Sequence, residues 1–219
     1  MHHVGERLRP LWDFEDLDGT ERRFKEQLQK ESSDAGRAEV LTQLARVQGL
    51  RGAFAEGDRL IDQAEALSDG SAAVRTRIEM ERGRLRNSNG DPGIALPMFK
   101  AAFEIADRAG EQFLAADAAH MAAIAAPDRQ GKLEWTERGI RIATDSAERD
   151  VSYWLGPLYN NIGWEYQDAG EHEAALDAFQ RALASRERYP EMPALIQHAK
   201  DAVTEALRAL GREDEASRP

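Results

Sequence analysis

Cysteine is absent from the 219 residues of this sequence. Disulfide frameworks, cysteine-ligated zinc ribbons and thiol nucleophiles are therefore excluded. The sequence also lacks any apolar run close to the roughly 20 residues that a membrane-spanning helix needs. No apolar segment of the secretory-signal kind follows Arg9. We therefore expect a cytoplasmic chain with no membrane partner.

Positive charge is also scarce. Lys and Arg total 29 against 40 Asp and Glu, so the formal net charge is −11. Because nucleic-acid binding depends on cations that displace counterions from phosphates, we expect no nucleic-acid partner. Charged residues nevertheless make up 32% of the sequence, and hydrophobic residues make up 42%. This composition is typical of a helical protein with a large exposed surface.

Signatures of catalysis and of metal binding are missing as well. His172 and Glu173 begin like a zinc-binding helix, but Leu176 stands where the second histidine ligand must be. Gly131 and Lys132 resemble the end of a phosphate loop that lacks its leading Gly and its Ser or Thr. No Gly-x-Ser-x-Gly, Ser-x-x-Lys or Gly-x-Gly-x-x-Gly occurs. We therefore expect no enzyme activity, no metal and no cofactor.

Helical periodicity dominates the sequence, with Gly, Pro and Asp between the periodic segments. Few runs of Val, Ile or Thr could form a strand, so the predicted class is all-α. The most informative stretch combines an aromatic, an apolar residue before glycine, a tyrosine, a turn glycine and an Ala-rich helix: Tyr159, Ile162, Gly163, Tyr166, Gly170, Ala175, Phe179 and Ala182. This stretch is similar to the tetratricopeptide repeat (TPR) pattern.

Small residues in this pattern let two antiparallel helices approach closely. Gly163 and Ala175 provide the close approach, Phe179 fills the space beside them, and Gly170 makes a turn with positive φ. One helix pair cannot bury its own apolar face, so further copies are expected. The small residue of the first helix of each pair, the A-helix, recurs at roughly 40-residue intervals at Ala45, Gly83, Ala123 and Gly163.

The resemblance implies a TPR-like α-solenoid, a right-handed superhelix of antiparallel helix pairs, of the bacterial type with extended repeats. We expect an N-terminal segment and capping helix over residues 1–37, with a helix start at Asp18 and with Trp12 and Phe14 beneath that helix. Four repeats and a capping helix, predicted from Pro193 to Leu210, occupy residues 38–210, and a polar tail occupies 211–219. The third repeat is degenerate, with a short turn at Pro127.

In a TPR superhelix the A-helices line the concave face, and the resemblance implies the same arrangement here. Counting from each small residue predicts a groove of cationic, amide, imidazole and indole groups: Arg46, Arg84, Asn87, His120, Asn160, Asn161 and Trp164. Such groups suit a protein or peptide ligand, with an anionic group able to contact Arg46 and Arg84. The expected function is that of a non-catalytic scaffold.

Structural roles for the same residues stay open at this point. The two arginines could pair with neighbouring carboxylates, the two asparagines could link A-helices, and His120 and Trp164 could be packing residues. Self-association as a homodimer is the alternative function, and an uncharacterised enzyme is a remote one. The sequence leaves open whether Pro97 and Pro157 kink their helices.

Overall fold

The computed structural model describes residues 6–216. The His2-His3 pair, which took no part in the site predictions, lies outside the described residues, as do the outer ends of the predicted N-terminal segment and polar tail. Throughout the described range the regular structure is helical and no strand occurs, which confirms the all-α prediction.

The chain divides into two compact units, at residues 1–127 and 128–219. Helix bounds in the first unit are a 3-10 turn (Arg9–Leu11), α1 (Leu17–Lys30), α2 (Asp34–Leu50), α3 (Phe54–Ala66), α4 (Ala72–Ser88), α5 (Pro92–Ala109) and α6 (Gln112–Ala125). Those in the second are α7 (Arg129–Asp145), α8 (Arg149–Ser152), α9 (Leu155–Asp168), α10 (His172–Arg186), α11 (Pro193–Ala209) and α12 (Glu213–Ala216).

Helices pack in antiparallel-type pairs of neighbours within each unit. In the first unit α2 packs on α3 and α4 on α5, and α6 packs on both α4 and α5. In the second unit α9 packs on α10, which also carries α11, while α7 packs on α9. Gly52, Gly90 and Gly170 adopt positive φ at the turns between paired helices. Glycine is favoured there because it has no Cβ to clash in the left-handed region.

The close approach within a pair depends on a glycine that faces an aromatic ring. A Cβ at Gly163 would lie 2.4 Å from Cε1 of Phe179, and one at Gly83 would lie 2.5 Å from Cε1 of Phe99. Real Cβ atoms do not approach carbon atoms this closely, so the ring occupies the space that glycine leaves open. This contact confirms the predicted helix register in the second and fourth repeats.

The predicted third repeat is divided between the two units, because the boundary between them falls at Pro127 and Asp128. Only residues 126–128 separate α6 from α7. Asp128 caps α7 by accepting a hydrogen bond from the Gly131 backbone N–H at 2.8 Å. Gly131 and Lys132 therefore lie in the first turn of a helix.

The structure differs from several local expectations near the chain ends. Helix α1 begins before the predicted Asp18 start, because the Asp16 side chain accepts the capping hydrogen bond from the Gly19 N–H. Phe14 is not covered by α1 but is 58% exposed. Within the expected polar tail, α12 packs on α11 and buries Ala216 in a cluster with Leu207.

Neither questioned proline breaks its helix. Pro157 lies in the first turn of α9, where backbone N–H groups have no partner within the helix. Pro97 lies inside α5, which continues from Pro92 to Ala109 although the proline removes one backbone donor.

Candidate functional site

The seven predicted groove residues fall into two groups. Arg46, Arg84, Asn87 and His120 belong to the first unit, and Asn160, Asn161 and Trp164 lie on α9 of the second. All seven side chains are half-buried.

Side chains of the three first-unit A-helices form one polar surface, which we call the A face. Its members are spaced three or four residues apart, as required for one side of a helix. They are Glu39, Gln43 and Arg46 on α2, Arg77, Glu81 and Arg84 on α4, and Asp117 and Met121 on α6. The A face includes the predicted Arg46 and Arg84.

A cavity of about 200 Å³ opens on the A face. Three A-helices contribute its lining: Arg46, Gly49, Leu50, Glu81, Arg84, Leu85, Ser88 and Met121. The structure thus brings Arg46 and Arg84 to one cavity, whereas Asn87 and His120 are not part of its lining. Apolar walls with a few convergent polar groups are typical of ligand-binding cavities.

Arg84 forms ion pairs with two carboxylates of its own unit. It donates hydrogen bonds to Glu81 and, over 2.6 Å, to Oδ1 of Asp117. Only 12% of the Arg84 side chain is exposed, with 2% of Glu81 and 7% of Asp117. Loss of one partner from such a buried group leaves an uncompensated charge, which is strongly destabilising.

Electrostatics favours the charged forms of Arg84 and Asp117. Burial by itself would lower the pKa of Arg84, but the charges of Asp117 and Glu81 outweigh it and raise that pKa above its ordinary value. Burial would likewise raise the pKa of Asp117, but the Arg84 charge, with that of Arg46, holds this pKa below its usual value. An anionic ligand at Arg84 would therefore compete with two carboxylates.

One carboxylate oxygen beside the cavity has no donor. Oε2 of Glu81 is buried and makes no hydrogen bond within residues 6–216. A buried acceptor without a partner costs roughly 1–3 kcal/mol. A ligand N–H group that donates a hydrogen bond to this oxygen would remove that cost.

Arg46 has a different environment from Arg84. Its guanidinium carbon lies 5.1 Å from the ring centroid of Trp12 and 5.4 Å from that of Phe14. The two rings stack on each other at 4.9 Å. The Trp12 indole also donates a hydrogen bond of 2.9 Å to Oε1 of Gln43 on the A face. Arg46 therefore lies between the cavity and this aromatic pair.

A second buried ion pair lies on the A face. Arg77 contacts Glu6 at 2.5 Å and Glu39 at 3.3 Å. The side chains of Arg77 and Glu6 are 9% and 8% exposed. Burial would lower the pKa of Arg77, but the charges of Glu6 and Glu39 outweigh it and raise that pKa.

The alternative that Arg84 pairs with a neighbouring carboxylate is confirmed by Glu81. Sequence reasoning missed Asp117 and the buried Arg77. Glu39, Arg77 and Asp117 each precede the small residue of their A-helix by the same number of positions, six. Extending the count from each small residue by one more helical turn towards the N-terminus would therefore have identified Glu39, Arg77 and Asp117.

Trp164 in the second unit has packing contacts that its predicted groove position does not suggest. Its ring meets Phe179 edge to face at a centroid distance of 5.0 Å, and it borders a buried cluster of α10 and α11. Beside it, Glu165 pairs with Lys132 at 2.7 Å. Trp164 thus has a packing role while part of its surface remains accessible.

Two absences hold for the described residues. Within residues 6–216, no three or more His, Asp or Glu side chains are arranged to hold a metal ion. In the same range, no helix has both the length and the apolar character to cross a membrane.

Comparison with solved structures identifies the fold. BtubC (BKLC) from P. vanneervenii has a TM-score of 0.70 and 17% identity, and the match covers 96% of this chain and 87% of that one. Rap protein complexed with Competence and Sporulation Factor has a TM-score of 0.67 and 14% identity, over 96% of this chain and 70% of that one.

A kinesin light chain with nearly identical TPR-like repeats, from Podosopora anserina, has a TM-score of 0.63 and 18% identity. That match covers 85% of this chain and 92% of the other. No protein-family model and no curated protein sequence matches the chain. The fold is an all-α, TPR-like solenoid.

Proposed function

We propose that this chain, which has the fold of the tetratricopeptide repeat, is a non-catalytic scaffold that binds a protein or peptide on its A face. The observation that carries this proposal is the position of exposed apolar side chains. Large apolar residues are exposed at Phe14, Leu50, Ile94 and Ile124 within the described range. Of these, Leu50 lines the cavity, Phe14 stacks beside Arg46, and Ile124 lies one turn beyond Met121.

The chemistry of the cavity suits an extended peptide. A peptide backbone offers both C=O acceptors and N–H donors, and the cavity offers guanidinium donors beside the unpaired acceptor of Glu81. Leu85 and Met121 supply an apolar wall. The proposal keeps the expectation that an anionic group of the ligand contacts guanidinium groups of the A face.

The similar structure of Rap protein is a complex with Competence and Sporulation Factor, which supports a ligand-binding role for this fold. The proposal also includes the cytoplasmic location expected from the sequence. It includes no nucleic-acid partner, because a net charge of −11 opposes binding to phosphates.

Selection of peptides from a random displayed library against the full chain tests this function. We expect the selected peptides to bind Arg46→Ala at least tenfold more weakly than the unaltered chain. Arg108→Ala is the matched control, since Arg108 is an exposed arginine on α5 that pairs with Glu104. Equal losses for the two variants, or no selected peptide at all, would contradict the proposal.

Self-association is the second candidate, favoured by the exposure of Phe14, whose ring lies beside Arg46, and of Leu50, which lines the cavity. Molar mass in solution separates the two functions. A dimer that dissociates in the Phe14→Ser/Leu50→Ser double variant would favour self-association, whereas a monomer at all concentrations would exclude it.

A further inference from the structure

Residues 6–16, called here the N-terminal segment, lie against the A face although they form only one 3-10 turn. A segment with so little internal hydrogen bonding depends on other parts of the chain for its conformation. Three features hold the segment in place: an acidic side chain and an indole that contact the A face, and an apolar side chain buried in the core of the first unit.

The acidic feature is Glu6. Its carboxylate meets Arg77 of α4 at 2.5 Å in a region where both side chains are more than nine-tenths buried. Charge-assisted contacts of this kind are stronger than neutral hydrogen bonds. Arg77 is therefore a carboxylate-binding position on the A face.

The apolar feature is Leu8, which is 2% exposed and belongs to the buried cluster of the first unit. Between Leu8 and the indole, the backbone is held by Arg23, whose Nε donates to the Leu11 carbonyl at 2.9 Å. The segment thus has a fixed register against the helices.

The indole feature is Trp12. Its N–H donates to Gln43, and its ring is surrounded by Phe14, Phe24 and the Arg46 guanidinium. An indole with a satisfied N–H and a cation over its face is a typical anchor of a protein interface. Gln43 and Arg46 form its binding position on the A face.

We propose that the N-terminal segment is a peptide bound in cis, and that the same surface binds a partner peptide of the same chemistry in trans. That partner carries a carboxylate for Arg77, an apolar residue two positions later and a tryptophan four positions after that. This inference rests on the proposed function and adds to it the class of ligand and a competition between ligand and segment.

The N-terminal segment competes with a free peptide because the segment and the A face belong to the same chain. A segment tethered beside its own binding surface acts at an effective concentration in the mM range for a short linker. A free peptide therefore binds weakly until the segment is displaced. Weakening the contacts of the segment should expose the surface to a peptide in solution.

A fluorescent peptide of residues 6–16 provides the probe, titrated against the full chain and against its Trp12→Ala/Phe14→Ala variant. We expect the peptide to bind the variant at least tenfold more tightly than the unaltered chain. A peptide with alanine in place of Trp12 should lose that binding, and Ile94→Ala, which removes an exposed apolar side chain on α5, should behave like the unaltered chain.

Circular dichroism checks that the double variant keeps its helices. If it unfolds, Trp12→Phe serves instead, because it removes only the N–H donor to Gln43 and retains a ring beside Arg46. Equal binding of the peptide by variant and unaltered chain, or no binding by a folded variant, would overturn the inference and identify the segment as a structural cap. The proposed function would survive that result if library peptides still bind in an Arg46-dependent manner.

Discussion

The first and second units use the same helix-pair contact but present different A-helix surfaces. Gly83 against Phe99 in the first unit has its counterpart in Gly163 against Phe179 in the second. On the surface, however, α4 of the first unit carries the buried ion pairs of Arg77 and Arg84, whereas α9 of the second carries Asn160, Asn161 and Trp164.

Ion pairs in the second unit are more exposed. Arg129 and Glu171, which pair at 2.7 Å, have side chains 42% and 46% exposed. Surface pairs of this kind contribute about 0–1 kcal/mol. The comparison indicates that glycine and phenylalanine maintain the fold in both units, while the burial of charge distinguishes the first unit as the candidate binding surface.

The largest expected effect comes from the buried triad. Arg84→Ala leaves Glu81 and Asp117 buried without their shared cation, and we expect a loss of about 3–5 kcal/mol in the free energy of unfolding. Arg129→Ala in the second unit should cost no more than about 1 kcal/mol. Denaturant titration of both variants measures the difference, and equal costs would mean that burial does not distinguish the two units.

An intermediate effect, of similar size in both units, is expected at the shared contact. Gly83→Ala and Gly163→Ala each force a methyl group into a phenylalanine ring, which should cost about 1–3 kcal/mol. Adding Phe179→Leu to Gly163→Ala should recover part of the loss, because the smaller side chain makes room. Thermal unfolding checks this, and undiminished stability of the single variants would contradict the register.

A smaller effect is expected at Trp164. The groove position predicted for Trp164 would leave the melting temperature of Trp164→Ala nearly unchanged, but the edge-to-face contact with Phe179 predicts a loss of stability instead. Such aromatic pairs contribute about 0.5–1.5 kcal/mol beyond area burial. Trp164→Phe should keep most of this energy. If Trp164→Ala melts like the unaltered chain, the indole has no packing role.

The smallest effect is a dependence on pH. The folded-state pKa of Asp117 is held below its ordinary value of 3.8, so its charge stabilises the fold fully above that value. That contribution is lost as the pH falls through the folded pKa. The stability difference between the unaltered chain and Asp117→Asn should therefore be constant from neutral pH to about pH 5 and shrink below the ordinary pKa. A difference that stays constant into strong acid would contradict this assignment.

Much of the fold follows from local pattern. Recurring small residues predicted the helix pairs, and the Gly163 register agrees with the structure because a missing Cβ has a direct packing consequence. The start of α1 was predicted at Asp18 and lies at Leu17 with Asp16 as the cap, because Asp16 and Asp18 are equally suitable caps by type.

The site was harder to predict. Counting along the A-helices identified Arg46 and Arg84, which line one cavity in the structure. The carboxylate partners of Arg84 come from two helices, so their proximity depends on tertiary packing. The N-terminal segment has no helical period, so its position on the A face follows from contacts between side chains far apart in sequence.

Hydrogen exchange measured with and without a peptide selected on the full chain tests the central claim most directly. We predict that the bound peptide slows exchange in α2, α4 and α6, around Arg46, Arg84 and Met121, and leaves α3 and α5 unchanged. Protection confined to α3 and α5, with no change on the A face, would contradict the assignment of this surface as the binding site.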